Sequence, residues 1–350
     1  MEHIINSFLK FVSGALSFTG TSVKFTNLAG SGQRVLGVNN DGTLADTAIP
    51  VTSLARAFTY SNILYVNSAG NNTTAQVGRY DLPYATLAAA HTAASLGDKI
   101  ILLGSINESV TISKFVYLVF AYGASYTGTL TGSGNQLNLS SDGTGRVLNT
   151  AVINNQNGLV ASGFLEFKGS IVHSNSVNTT ISNCKDVALT NMSLFNSLIR
   201  FVNIETLDYQ SSTNPGANTI WLQDVKMFTP TAGLGNSLYR IRMIAERTNF
   251  TIGNITLLSF TQGENYFSDC KFKITGSQPL INDTVNTSKQ TFLRCEFQTT
   301  SGSPPASIVS YTQTIRIEVY YFRYNIATFN SGGTLVTQYS TQDSNVSLNY

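Results

Sequence analysis

Charge is what this sequence lacks most. Only 11% of its 350 residues are Asp, Glu, Lys or Arg, against roughly 25% in an average soluble protein. The net charge is +2 and there is no basic run, so nothing favours a phosphate-tracking surface and no nucleic-acid partner is expected. Cysteine is scarce too. Cys184, Cys270 and Cys295 are too few and too odd in number for a disulfide framework, and they are not spaced as zinc ligands. No stretch of about 18 uncharged apolar residues exists, so no membrane insertion is expected. The opening MEHIINSFLKFVSGALSFTG has no basic leader and is broken by Lys10 and Gly14, which argues against a secretory signal.

Hydrophobic residues nevertheless make up 42% of the chain. Asn, Ser, Thr and Gly take the place of the missing charge. That balance excludes charge-driven disorder, which needs low hydrophobicity and high net charge. It suits a β-rich fold with an outer face of hydroxyl and amide side chains.

Residues 65–118 set the architecture. They run strand, polar loop, alanine-rich helix, Gly-Asp turn, apolar strand and a further short strand. Asp81-Leu82-Pro83 suits a helix start. Tyr84–Leu96 carries Leu87, Ala90 and Ala94 at helical spacing, and Gly97 at C′ ends the helix. Ile100–Leu103 is a continuous buried strand. Beyond residue 110 helical periodicity gives way to a loose repeat. NYFSDCKFKITG (265–276) and QTFLRCEFQTTSG (290–302) align Phe267 with Phe292, Cys270 with Cys295 and Phe272 with Phe297. TTISNCKDVALTN (179–191) sets Ile181 and Cys184 in the same frame. Stacked coils would place these residues in inward ladders, where Cys serves as a small hydrophobe.

The two ends differ from the middle. Val35, Gly37 and the Asp41-Gly42 turn followed by Leu44 predict a small hairpin that Pro50 ends, Asp-Gly being a dipeptide that favours the positive φ of such turns. Too little chain surrounds it for a core, so a partner is expected. At the other end Thr312–Phe329 alternates, with Ile315, Ile317, Val319 and Tyr321 on one face. It predicts one long terminal strand, followed by a hairpin through Gly332-Gly333.

The helical stretch resembles the entry of the pectate-lyase-like right-handed parallel β-helix superfamily. The matching residues are Tyr65-Val66, Pro83-Tyr84-Ala85-Thr86-Leu87, Gly97-Asp98-Lys99-Ile100 and Glu108. The resemblance covers about a sixth of the chain. It implies an all-β, right-handed parallel β-helix whose helix caps the first coil, but not an activity, since the superfamily mixes enzymes with structural virus proteins. Residues 27–50, NLAGSGQRVLGVNNDGTLADTAIP, resemble a segment near the N-termini of bacteriophage tail and fibre proteins. That resemblance implies a virion appendage, commonly a homotrimer anchored by its N-terminus.

Candidate chemistry is sparse. Carboxylates on coil-like segments are Glu166, Asp186, Glu205, Asp208, Asp224, Glu264, Asp269 and Glu296. Glu205 and Asp208 are the best-spaced pair for glycan cleavage, which needs two carboxylates roughly 5–10 Å apart. Asp269 with Arg294, and Glu296 above Lys271, read as exposed ion pairs between rungs. His3, His91 and His173 are isolated, with His91 expected to be a partly exposed helix residue. Arg240, Arg242 and Arg247 form the one local basic cluster. Trp221 and the tyrosines of 311–324 are candidate sugar or interface aromatics. No cofactor or metal is implied.

The expected organisation is an attachment segment (1–60), a cap (61–110), coils (111–305) and a C-terminal β element for closure or trimerisation (306–350). The leading expectation is a non-enzymatic phage virion protein on the particle exterior, a fibre, spike or other appendage. It would be a homotrimer, bound to other virion proteins through residues 1–60 and free to contact host-surface glycans. A tail-spike depolymerase and a glycan-binding module are the alternatives.

Overall fold

The computed structural model describes residues 34–38, 44–50, 63–148 (except 135), 152–155, 158–173, 178–193, 198–209, 218–234, 241–259, 264–283, 289–300 and 305–311. It also describes the strand residues from there to 342, of whose side chains nothing is stated beyond residue 310. The chain divides into two compact units, Met1–Phe58 and Thr59–Tyr350.

In the first unit Arg34–Val38 pairs antiparallel with Leu44–Pro50, Val38 opposite Leu44 and Leu36 opposite Asp46. This is the expected hairpin. Residues 1–33 and the Asp41-Gly42 turn lie outside the described residues.

The second unit is nearly all β, with parallel strands stacked as a solenoid. Its register can be followed residue by residue. Leu64, Ile100, Leu118, Leu139, Ala161, Ile181, Phe201, Leu222, Ala245, Phe267 and Phe292 stand in one column. All are 2% exposed or less. Across a corner a second column runs Val147, Phe167, Val187, Leu207, Phe228, Phe250, Phe272 and Phe297. Strand alternation sends the intervening side chains outward. Each ladder residue thus leaves water on both its coil faces, worth about 1.5–3 kcal/mol per large side chain.

The aromatic part of the ladder is ordered by ring geometry. Phe250 stacks on Phe272 at 4.5 Å, Phe272 on Phe297 at 4.9 Å, and Phe267 on Phe292 at 4.9 Å. The expected alignment of the 265–276 and 290–302 repeats is therefore the register itself. Cys184 pairs in register with Ile204, and Ile204 with Val225. All three cysteines are buried and free. Burial pushes the Cys184 thiol up to about 11, which makes it inert as a nucleophile.

The helix is shorter than expected, Leu87–Ala93 rather than Tyr84–Leu96. The Thr86 hydroxyl caps its start by accepting from the Ala89 N–H at 3.2 Å, and a Glu108 carboxylate oxygen accepts the Leu87 N–H. Leu87, Ala90 and Ala94 are buried. At the other end the Lys114 ammonium donates to the carbonyls of His91, Thr92 and Ala94 at 2.7–3.1 Å. That lysine satisfies the last carbonyls before Gly97, so no glycine C′ is required. Gly97 does take a left-handed φ of 86°, but in the turn into the strand Lys99–Asn107.

The C-terminal expectation needs correction as well. Thr314–Ile317 and Tyr320–Arg323 are separate strands, paired parallel to Lys289–Leu293 and Cys295–Thr299. Thr334–Thr337 pairs parallel to Thr314–Ile317. Parallel pairing excludes a hairpin between these two strands. The tail continues the coils, because Ile317 falls in register with Phe292 and Phe322 with Phe297.

Candidate functional site

The chemistry concentrates on two outer features, a corner ridge and the sheet face beside it. The corner follows the Leu64–Phe292 column. There Asn183, Asn203, Asp224, Arg247, Asp269 and Arg294 all take left-handed φ values of 48–55°. A left-handed residue turns each strand out of one sheet into the next. For residues with a Cβ this costs roughly 1–2 kcal/mol apiece. Their side chains link rung to rung. Asn203 Nδ2 donates to Asn183 Oδ1 at 2.9 Å, Arg247 grips Asp224 at 2.6 and 2.9 Å, and Arg294 grips Asp269 at 2.7 and 2.8 Å. Asp269 is held down to about 2, first by its hydrogen bonds from Arg294 and then by Ser268. The ridge is charged yet self-neutralising.

The sheet face carries two outward columns. One runs Arg146, Glu166, Asp186, Thr206 and Met227, and further along the same face Asn249, Lys271 and Glu296. The other runs Lys168, Ala188, Asp208 and Thr229, and then Thr251, Lys273 and Gln298. Upstream, Lys168 Nζ lies 2.6 Å from Asp186 and 3.5 Å from Glu166, and Arg146 is 3.7 Å from Glu166. Asp208 is held above the usual carboxylate range by desolvation and then by the neighbouring Asp186 charge, with Lys168 opposing.

Both members of the expected pair, Glu205 and Asp208, lie within the strand Leu198–Tyr209, Glu205 beside the corner and Asp208 further along. Glu205 is exposed, bracketed by buried Ile204 and by Thr206. The carboxylate that acts on Asp208 is Asp186. Sequence spacing missed that neighbour because Asp186 sits one rung away. A raised carboxyl beside a second carboxylate is the asymmetry that acid–base glycan chemistry uses. Here Lys168 already pairs with that second carboxylate, Asp186.

No family model, curated protein or solved structure matches this chain.

The other candidates separate. Asp269–Arg294 and Lys271–Glu296 are rung-to-rung ion pairs, as expected, the latter at 3.6 Å. Arg247 belongs to the corner with Asp224, while Arg242 sits on a strand and donates to the Glu264 carbonyl at 3.0 Å. Glu264 also accepts from the Thr291 hydroxyl at 2.7 Å. Arg240, His3 and the side chain of His173 lie outside the described residues, as do the tyrosine side chains of 311–324. Trp221 is half-buried, with the Arg200 guanidinium 4.8 Å from its ring centroid. His91 is buried, not partly exposed, and its Nε2 accepts the N–H groups of Ser113 and Lys114 at 3.3 Å. That position needs a neutral ring, and burial followed by the Lys114 charge lowers its pKa. Among the described residues no group of three or more His, Cys, Asp or Glu could hold a metal ion, and no helix is long and apolar enough to cross a membrane.

Proposed function

We propose that this chain is a structural protein of a bacteriophage virion, a fibre, spike or other exterior appendage. Residues 1–60 attach it to other virion proteins. The helix Leu87–Ala93 caps the entry of a right-handed β-helix, and the C-terminal coils close the stack or hold a homotrimer together. The observation that carries this reading is the unbroken parallel register from Leu64 to Phe292, with the ion pairs Asp224–Arg247 and Asp269–Arg294 linking rung to rung at the corner. Stacked coils bury their faces against their neighbours and leave the outer sheet faces free for contact. The fibre-like segment at 27–50 supports the viral assignment. A cryo-EM map of the parent particle tests location and stoichiometry together. The expected result is three copies on an exterior appendage, joined to the particle through residues 1–60. A stable monomer by mass photometry, with no place on the particle, overturns the reading.

One observation favours an enzyme instead, the raised Asp208 carboxyl beside Asp186. A depolymerase would release oligosaccharides from host capsule and lose that activity in Asp208→Asn. Loss in Glu205→Gln would instead restore the pair expected from sequence spacing.

A further inference from the structure

Downstream of the acidic residues the same sheet face turns basic. A groove of about 270 Å³ opens there, lined among others by Lys226, Met227, Asn249, Lys271, Lys273 and Glu296. Three ammonium groups meet one lining carboxylate. Glu296 is spent on Lys271 at 3.6 Å, while Lys226 and Lys273 are exposed and form no ion pair with any described residue. Two exposed lysines thus stand unmatched in one concavity, whereas Asp224–Arg247 and Asp269–Arg294 pair across the neighbouring corner. Met227, 43% exposed, adds an apolar platform to the groove. Asn249 anchors its own amide on the Lys226 carbonyl at 2.9 Å.

We infer that this groove binds an acidic polysaccharide, with Lys226 and Lys273 taking the carboxylates and Met227 the apolar face of a sugar ring. The inference rests on the outer surface being a host-contact surface. A single-stranded nucleic acid fits less well, since such sites stack bases on exposed aromatic rings. The groove's aromatic residues, Phe250 and Phe272, are buried in the ladder. Lys226 and Lys273 stand on strands two rungs apart, with Asn249–Ile252 between them, a separation of roughly 10 Å along the stack at about 4.8 Å per strand.

The experiment measures binding of the full chain to polygalacturonate, to its methyl-esterified form, to neutral dextran and to single-stranded DNA. Wild type is expected to bind polygalacturonate, with affinity falling as salt screens the lysines. It should bind the esterified and neutral polymers at least tenfold more weakly. Lys226→Glu/Lys273→Glu should lose at least tenfold with an unchanged melting temperature, because both side chains are exposed. Lys185→Glu, exposed at the corner outside the groove, should leave binding unchanged. Absence of polygalacturonate binding, equal binding of neutral polymer or of DNA, or equal loss in Lys185→Glu overturns the inference. So does a groove variant that changes only the oligomeric state, which would mark the face as a self-contact. None of these results alters where the chain sits on the particle, so the two readings fail separately.

Discussion

Arg294 grips the carboxylate of Asp269, one rung upstream, through two hydrogen bonds of 2.7 and 2.8 Å, and both residues hold left-handed φ values, 52° and 55°. Side-chain pairing and backbone strain therefore meet at the same two positions. The pair is exposed, which limits its stabilisation to below about 1 kcal/mol, while the strain at each residue is of the same size or larger.

That balance separates two substitutions at one site. Arg294→Ala removes the ion pair and keeps the strain. Arg294→Gly removes both, since glycine takes positive φ freely. The glycine variant should be the more stable of the two by about 1 kcal/mol in chemical denaturation. Equal stability would mean that the corner imposes no strain.

Asp269 titrates near 2 because Arg294 and Ser268 hydrogen-bond its ionised form. Its folded pKa lies below the unfolded value of about 3.9, so the stabilisation is complete above pH 4 and drains away as pH falls toward 2. In Arg294→Ala this acid limb should flatten. Melting curves between pH 5 and 2 for both proteins provide the check.

His91 acts with the same sign at a higher pH. Its neutral Nε2 accepts two backbone N–H groups and its pKa is lowered by burial and by Lys114. The unfolded chain binds the proton first, so stability should fall as pH drops below about 6.5. His91→Gln keeps an acceptor but cannot titrate. Its stability should be flat from pH 7 to 5, where wild type declines. A wild-type profile already flat over that range would contradict the buried neutral ring.

The parts of the fold legible in sequence are those where burial repeats one residue type. Phe267/Phe292 and Phe272/Phe297 announce their register because a stacked ring is best served by another ring. The cysteine column is harder to follow, since Ile204 and Val225 fill it between Cys184 and the later cysteines. The left-handed corner is hidden for a different reason. Arg247 and Arg294, unlike the Asn and Asp at the other corners, are not residues that favour positive φ; the stacked coil imposes it. Outside that repeat, which did place Arg294 by Asp269 and Glu296 by Lys271, contacts across rungs were out of reach. Lys114 ends a helix some twenty residues before it, and Asp186 lies on the coil preceding Asp208. The lysine groove joins residues spread from 226 to 298, which only the register brings together.

Where glycine does occupy the corner, it is required. Gly163 has a φ of 81°, and a Cβ there would lie 2.4 Å from the Ser141 carbonyl oxygen. Gly163→Ala should therefore cost more than the roughly 1–2 kcal/mol of left-handed strain alone, because backbone must also move. Asn183→Ala, one rung downstream, already has its Cβ accommodated. It should cost its hydrogen bonds to Ser162 and Asn203, about 1 kcal/mol in denaturant titration, together with asparagine's tolerance of positive φ, which alanine lacks.

The aromatic ladder predicts how the solenoid fails. Phe272 is sandwiched between Phe250 and Phe297 at 4.5 and 4.9 Å, with the rings within 13° of parallel. Phe272→Ala should lose about 3–5 kcal/mol for the buried ring and its cavity, and stacking contacts on both sides go with it. In a stack where each coil touches only its neighbours, that loss is local. Coils near residues 250–300 should open while those near Leu64–Leu139 stay closed. Hydrogen exchange on the variant should then show faster exchange in the strands Asn249–Ile252, Lys271–Ile274 and Cys295–Thr299, with protection unchanged in Lys99–Asn107 and Tyr117–Thr127. Uniform loss of protection would instead mean that the whole rod unfolds as one unit, with cooperativity carried along the ladder and not confined to neighbouring coils.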